Sequence, residues 1–503
     1  MAEFDSLILG SGMAGLSVAA LLARDGERVK VLEAHEYPGG YAHTFPMGKW
    51  SFCAQVHYVF GCGEGETIGL LLEALGLEKT VQFVRLDPEG FDQVVIAGER
   101  YRIPNGLEKC RVRLTHRFPR EAKGLRDYFS LLAKVAGELA SVPDKRQLSD
   151  WLTAPIRFSH VLRHRNHTLQ DVYGQLGLSP RLQAVLAGQA GDYLLPPGRV
   201  AFLLHAALVS GYDSGAYYPR KHFKYFVDQI VGTITARPGC EVLLNQRVER
   251  IEVREGRVAG VRTADGVLHT AKRYISNIDP GRTVELTGRE NFPARYLNHV
   301  KREYSCGSFT MYLGTKDIDL RGYGFGSFNT WHYPHEDINA IYERQVVRND
   351  LSDPWLFMST PTLHTDEPGL APPGGQVLCI ATSCAYEPFR DLRASDVSAY
   401  RRLKHANKER ILDILEANYI PGLRKHLAIQ VVGTSATNER YCLAPQGNAY
   451  GIALTPENTT SRISMSTPLD NLWLCNASAG WPSVAGTVGS GIKLHQLLTG
   501  KAI

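Results

Sequence analysis

A short apolar run at residues 6–9 is followed by Leu16, Ala19, Ala20 and Ala23 at helical spacing, and then by a second apolar run at 29–33. This pattern predicts a strand, a helix over 13–25 stopped by Gly26, and a second strand. Residues 67–235 read as mostly helical, with "ETIGLLLEALGL", "LRDYFSLLAKVAGELASV" and "RLQAVLAGQAG" carrying the apolar period. Residues 241–277 change to alternating runs broken at Glu255-Gly256 and Asp265-Gly266, the pattern of an antiparallel meander with tight hairpins. Strand-like segments recur at 306–345 and 376–386. A helix is expected over 395–418 and a last strand at 472–476, which leads into a loop and a closing helix. There is neither an internal repeat nor a low-complexity linker.

The chain has 503 residues, enough for one composite domain or two to three lobes. A composition of 44% hydrophobic and 21% charged residues is that of a soluble globular protein. A net charge of +5 without any nucleic-acid motif gives no reason to expect nucleic-acid binding. The nine cysteines include no CxxC, so neither a metal site nor a disulfide framework is expected; reduced thiols in a cytoplasmic setting are. No signal peptide is read ahead of the first strand. The longest apolar candidate, "VAFLLHAALV" at 200–209, is short and interrupted by His205, so no membrane span is expected. Peripheral membrane attachment stays open. The basic, histidine-rich run "RFSHVLRHRNHTL" (157–169) is either a solvated helix face or a contact with an anionic membrane surface.

Gly10, Gly12 and Gly15 form GxGxxG between the first strand and helix, and Glu33 ends the next strand 18 residues beyond Gly15. The first glycine permits the tight turn, the second lets the backbone approach a pyrophosphate, and the third lets helix and strand pack closely. The helix N-terminus, at Met13 and Ala14, offers free N–H groups and the positive end of its dipole. Glu33 can accept from a ribose diol. The unit is expected to bind a dinucleotide.

After Glu33 the chain reads "AHEYPGGYAHTF". The acidic strand end, short loop and Gly39-Gly40 pair resemble the extended FAD motif of flavin amine oxidases and phytoene desaturases. "GCGEG" (61–65) and "GYGFG" (322–326) lack a flanking strand and helix, so one dinucleotide, FAD, is expected and no NAD(P)H domain. "GGYAHTF", "VHYVFG", "LLPPGRVAFLLHAALV", "GYDSGAYYP", "NTWHYPHEDIN" and "GWPSVAGTVGSG" narrow the resemblance, over nearly the whole chain, to the carotenoid isomerase and retinol saturase branch of the phytoene desaturase-related flavoproteins. That resemblance implies an α/β fold: a Rossmann-like FAD-binding domain of the glutathione-reductase/amine-oxidase type, an interleaved α+β substrate domain and a helical lobe. The implied division is 1–70, 220–290 and 455–503 for FAD, 71–219 for a helical substrate or lid lobe, and 291–454 for substrate. It further implies FAD contacts at Ala34, Val248 (through its backbone), Asn277, Asn476, Ser483, Val484 and Thr487. Three departures stand out. "RKHFKYF" (220–226) replaces a glycine pair, Cys53, Ala54 and Gln55 stand where the branch has an acidic residue and a glycine before its "HY" segment, and Asn476–Ser478 replace an acidic residue before the closing loop.

The resemblance also implies a long apolar polyene or lipid substrate, on which desaturation, saturation and cis–trans isomerisation are the open reactions. The electron partner is a quinone, oxygen or a separate reductase. His43, His57, Tyr58, Tyr218, His222 and His332 are the candidate acid–base groups, with His57 and Tyr58 foremost because they follow the flavin loop closely. The alternatives are an amine-oxidase-like oxidase, a tailoring dehydrogenase of a secondary metabolite, and a flavin-containing lipid-binding protein without turnover.

Overall fold

The computed structural model describes residues 3–142 and 154–503. It begins with β1 (Phe4–Leu9), α1 (Met13–Arg24) and β2 (Val29–Leu32). α1 is buried on every side from Met13 to Ala23, beyond the single face expected from Leu16, Ala19, Ala20 and Ala23. Small side chains permit this. The closing helix Val484–Thr499 crosses so closely that a Cβ on Gly491 would stand 2.6 Å from that of Ser17, and the helix His222–Thr235 packs on another side.

Among the described residues, five strands form a parallel sheet in the order Leu472–Leu474, Ala271–Ser276, β1, β2, Glu241–Leu243. Three distant stretches of chain supply them. The chain is thus α/β, as the sequence predicts, and the strand order reverses beside β1, where open sheets of this kind place their ligands. The strands Val248–Arg254, Arg257–Thr263 and Leu268–His269 form a separate antiparallel meander, turning at Glu255 (φ 51°) and Gly256 (φ 73°). It is shorter than the expected 241–277, because the runs at both ends join the parallel sheet instead.

A seven-stranded mixed sheet faces the first across the cavity described below. Its order is Leu427–Gly433, Gly307–Thr315, Gln376–Cys384, Leu356–Ser359, Asn329–Tyr333, Asp92–Ile96, Glu99–Ile103. The last two strands lie inside the stretch expected to be mostly helical. They form a hairpin closed at Ala97-Gly98 (φ 49° and 84°), too short to break a helical reading of its surroundings. The helix Val397–Asn418 covers the sheet's outer face, with Ile411, Leu412 and Leu415 packing in one core with Leu356, Met358 and Ile380.

The helices Ala122–Ala140 and Phe202–Gly211 pack in a lobe over the opposite side. Inside it, His205 meets the hydroxyls of Tyr128 (2.7 Å) and Tyr193 (3.2 Å), so the polar break in the apolar run is satisfied internally. No helix among the described residues is long and apolar enough to cross a membrane, and no cluster of three or more histidine, cysteine or acidic side chains there could hold a metal ion.

Candidate cofactor and substrate cavity

A cavity of about 360 Å³ opens at the carboxyl ends of β1, β2 and Ala271–Ser276. Gly10, Gly12, Met13, Ala14, Glu33, Ala34, Gly39, Gly40, Val248, Asn277, Asn476, Ser483, Val484 and Thr487 all line it. Gly15 lies beneath, where helix meets sheet: a Cβ there would be 2.7 Å from the Gly10 carbonyl oxygen. Gly12 donates its N–H to Asn277 Oδ1 at 2.8 Å, and a Cβ on Gly12 would stand 2.5 Å from that oxygen. Asn277 therefore pins the loop, and the first-turn amides of Met13 and Ala14 face the site with the positive end of the dipole.

The glycine pair crosses this loop directly. Gly39 donates its N–H to the Ser11 carbonyl at 3.0 Å, with φ of 111°, and a Cβ on Gly40 (φ 57°) would stand 3.0 Å from Gly12 Cα. Glu33 accepts at Oε2 from the Ser11 amide (2.7 Å) and hydroxyl (2.6 Å), and at Oε1 from the His35 amide (2.8 Å). These bonds aim the carboxylate and leave Oε1 one acceptor site for a sugar hydroxyl. His43 lies in the same arm, its ring 4.9 Å from that of His35 and its Nδ1 2.6 Å from the Gly40 carbonyl. Burial lowers its pKa to about 4, so it is neutral at pH 7.

Across the cavity, Ser483 caps the closing helix in a strained conformation (φ 72°), accepting from the Gly486 amide at 3.0 Å. Asn476 accepts from the Ser478 and Ala479 amides (3.1 and 2.9 Å) and donates to the Ile278 carbonyl (2.9 Å). Thr487 donates to the Ser483 carbonyl at 2.7 Å. The side chains of Asn476 and Thr487 thus hold the loop, and the start of the helix at Val484 presents its backbone to the cavity. A cradle free of side chains at Gly12 and Gly40, an acid at the end of β2 and two helix N-termini fit a flavin dinucleotide.

The cavity continues into an arm walled by aromatic rings. Register explains it: Trp331 pairs with Phe357, and Phe357 with Ala381, so three strands present one row to the cavity. The Trp331 ring is 4.6 Å from that of Phe357 and 6.1 Å from that of Trp355. Tyr58 stacks on Tyr212 at 5.2 Å.

His57 and Tyr58 line this arm. The His57 ring lies 5.2 Å from that of Phe357, and burial lowers its pKa to about 4, leaving a neutral imidazole. Tyr58 donates to Asp192 Oδ2 at 2.8 Å, with Asp92 Oδ2 at 3.2 Å. Burial, first of all, pushes the Tyr58 phenol well above its usual value.

Tyr218, His222 and His332 are not brought to the cavity. His332 alternates with Trp331 and points to the outer face, its Nδ1 2.9 Å from the Tyr419 hydroxyl. Tyr218 is buried behind His57, its hydroxyl 3.3 Å from His222 Nδ1, while His222 Nε2 donates to the Glu367 carbonyl at 3.0 Å. The bulky "RKHFKYF" stretch likewise stays out of the cavity, with His222, Phe223 and Phe226 buried in the helix packed on α1. Cys53 and Cys62 are free thiols; burial raises that of Cys53 to about 12, so it is no ready nucleophile.

Sequence reasoning missed Asp92 and Asp192. Each is an acid in a mainly apolar run, "FDQVVI" and "GDYLL", and acids are rarely buried unless partnered. That was the available signal.

Residues 13–303, more than half of the chain, match the family of flavin containing amine oxidoreductases. The chain is similar to the all-trans-retinol 13,14-reductase of Danio rerio, 26% identical over 509 residues that cover 94% of this chain and 82% of the relative. It is also similar to the chloroplastic prolycopene isomerase of Daucus carota, 24% identical over 490 residues, covering 91% and 75%. Among solved structures, putrescine oxidase bound to putrescine superposes with a TM-score of 0.66 at 16% identity over 99% of each chain, a likeness of fold. The cofactor of this family is a flavin, and that of this chain is FAD. The chain belongs to the flavin containing amine oxidoreductase family, is an FAD-dependent oxidoreductase or isomerase, and is similar to the carotenoid isomerase and retinol saturase branch.

Proposed function

We propose that this enzyme acts on carbon–carbon double bonds of a long apolar isoprenoid, a retinoid- or carotenoid-like polyene. The observation that carries this reading is the continuity of the nucleotide arm with a cavity walled by Trp331, Trp355, Phe357, Tyr58 and Tyr212. A conjugated chain is flat and apolar, and stacked rings offer it dispersion and exclude water. The retinol reductase and prolycopene isomerase relatives, both named for polyene substrates, support the same class.

Bound FAD supplies two-electron chemistry at its ring; the chain supplies binding, orientation and charge. Met13 and Ala14 would hold the pyrophosphate and Glu33 the adenosine ribose, and the N-terminus at Val484 would favour negative charge beside the ring. His57 lines the reacting arm as a neutral imidazole, able to donate or accept a proton there. Tyr218 and His332, outside the cavity, have no part in this chemistry. The second reading, amine oxidation, draws on Asp192 among aromatic rings, a setting that could hold an ammonium ion. It requires an ionised Asp192, whereas burial and the neighbouring Asp92 push that carboxyl up to about 8.

With one strand–GxGxxG–helix unit among the described residues, the flavin exchanges electrons with a partner outside the chain: a quinone or oxygen as acceptor, or a reductase as donor. Peripheral contact with a bilayer belongs to the same reading, since polyenes partition there. Ile156, 83% exposed, adjoins the basic stretch 157–169. Incubating the holoenzyme anaerobically with retinoids, carotenoids and amines tests the proposal: conversion of a polyene supports it. Peroxide release in air from an amine, with no polyene converted, would overturn it.

A further inference from the structure

Asp92 and Asp192, a hundred positions apart in the chain, meet at one phenol. Tyr58 Oη is 2.8 Å from Asp192 Oδ2 and 3.2 Å from Asp92 Oδ2. A phenol carries one proton and can donate it to one carboxylate only. The second contact is a hydrogen bond only when that carboxyl brings a proton of its own. The other side chains bonded to the pair are neutral: Gln189 (2.6 Å) and Asn329 (3.3 Å) donate to Asp92, and Tyr212 (3.3 Å) donates to Asp192. Two bare carboxylates across a buried hydroxyl, with neutral donors alone, would be costly.

The donors also decide where the proton resides. Asp92, fully buried at the start of its strand, receives two amide N–H groups and is set up as the carboxylate. Asp192 faces phenols only and lines the same cavity as Leu194, Leu208 and Trp331. Burial and charge repulsion act the same way, raising Asp192 to about 8 and Asp92 to about 6.

We propose that Asp192 is the catalytic acid of this site, held protonated by its burial and by the Asp92 carboxylate across Tyr58, and that it delivers its proton to a carbon of the substrate double bond in a saturation reaction. This rests on the polyene reading above. One carbon of the double bond takes the hydride that two-electron-reduced flavin supplies, and its neighbour takes the Asp192 proton. The π bond breaks, two C–H bonds form, the flavin is oxidised and the substrate reduced. Asp192, left as a carboxylate facing the hydroxyls of Tyr58 and Tyr212, regains a proton from water when product leaves.

The test uses holoenzyme with prereduced flavin in single turnover, anaerobically in D2O, with all-trans-retinol as probe. Native protein is expected to place two solvent deuteriums on the saturated carbon pair, one by way of the exchangeable N5–H of the reduced flavin and one from Asp192, with an alkaline limb near pH 8. Asp192→Asn should keep its flavin and bind retinol while turnover falls by about 10²-fold or more, and the alkaline limb should vanish. Tyr58→Phe removes a donor that favours the carboxylate, so its limb should move to higher pH. A second readout needs no turnover: infrared difference spectra of protein labelled with ¹³C-aspartate should show a protonated carboxyl that titrates near 8 and is absent from Asp192→Asn. An Asp192→Asn enzyme with native rate and limb, an unmoved limb in Tyr58→Phe, or a carboxyl band surviving in Asp192→Asn overturns the assignment. Failure of native protein to convert any polyene counts against the polyene reading instead; the infrared titration then still decides whether Asp192 holds the proton, and its absence overturns this inference.

Discussion

Gly40 stands against Gly12 so closely that a Cβ on Gly40 would lie 3.0 Å from Gly12 Cα, and its own φ of 57° is one that L side chains resist. The second glycine pair is thus the lid of the phosphate loop as well as a turn. Gly40→Ala adds about 1–2 kcal/mol of backbone strain and pushes the loop away from its pyrophosphate position. FAD affinity, followed by flavin fluorescence on titration into apoprotein, should weaken about tenfold or more. Unchanged affinity would show that the close approach has no bearing on the cofactor.

His57→Ala should leave a yellow protein whose turnover is reduced about 10²-fold. The imidazole is held neutral down to about pH 4 by burial, so native activity should show no histidine limb near pH 6–7, the range of an unperturbed imidazole at about 6.5. Flavin absorbance of purified variant, and pH–rate profiles of both proteins, check this.

His332→Phe serves as the contrasting substitution. Its ring is on the outer face, bonded to Tyr419, away from the cavity. Removing that bond strands the Tyr419 hydroxyl, at a cost of about 1–3 kcal/mol. Calorimetry should show a lower Tm, with kcat unchanged. A large loss of kcat at native stability would place His332 in the chemistry after all.

The acid pair links stability to pH. An Asp carboxyl ordinarily titrates at 3.8, and burial raises Asp92 to about 6 and Asp192 to about 8. The folded state then holds protons that the unfolded chain releases, so this contribution to stability is complete below pH 3.8 and is lost as pH rises to about 8. Asp192→Asn cannot ionise. Its Tm relative to native should therefore improve steadily from acid pH up to about 8. A difference independent of pH would mean that Asp192 titrates normally.

The nucleotide arm was legible in the sequence because its requirements are local. Gly10, Gly12, Gly15, Glu33 and the Gly39-Gly40 pair act through backbone geometry within a few dozen residues, and the C-terminal loop could be placed by resemblance. The substrate arm was less legible, since its relationships cross the chain. The sequence shows strand-like character over 306–345 without the bounds or inward face of the strand Asn329–Tyr333, so it offers His332 as a candidate and gives no sign that its neighbour Trp331 is the one in the cavity. Tyr58 could be picked from its position after the flavin loop, but its partners Asp92 and Asp192 come from a hairpin and a short turn in a stretch expected to be mostly helical. Residue spacing carries no sign of such a meeting; three-dimensional packing creates it.

The central claim, reduced flavin acting on a polyene double bond, is tested most directly by following both chromophores in one anaerobic reaction. Holoenzyme is reduced, mixed with a panel of retinoids and carotenoids, and monitored by absorbance, with products identified by mass and chromatography. The account predicts that a polyene is converted only when the flavin is reduced, and that flavin absorbance returns in proportion to the double bonds saturated. Polyenes that remain unchanged in the presence of reduced holoenzyme, with oxidised holoenzyme instead bleached by an amine, would contradict it.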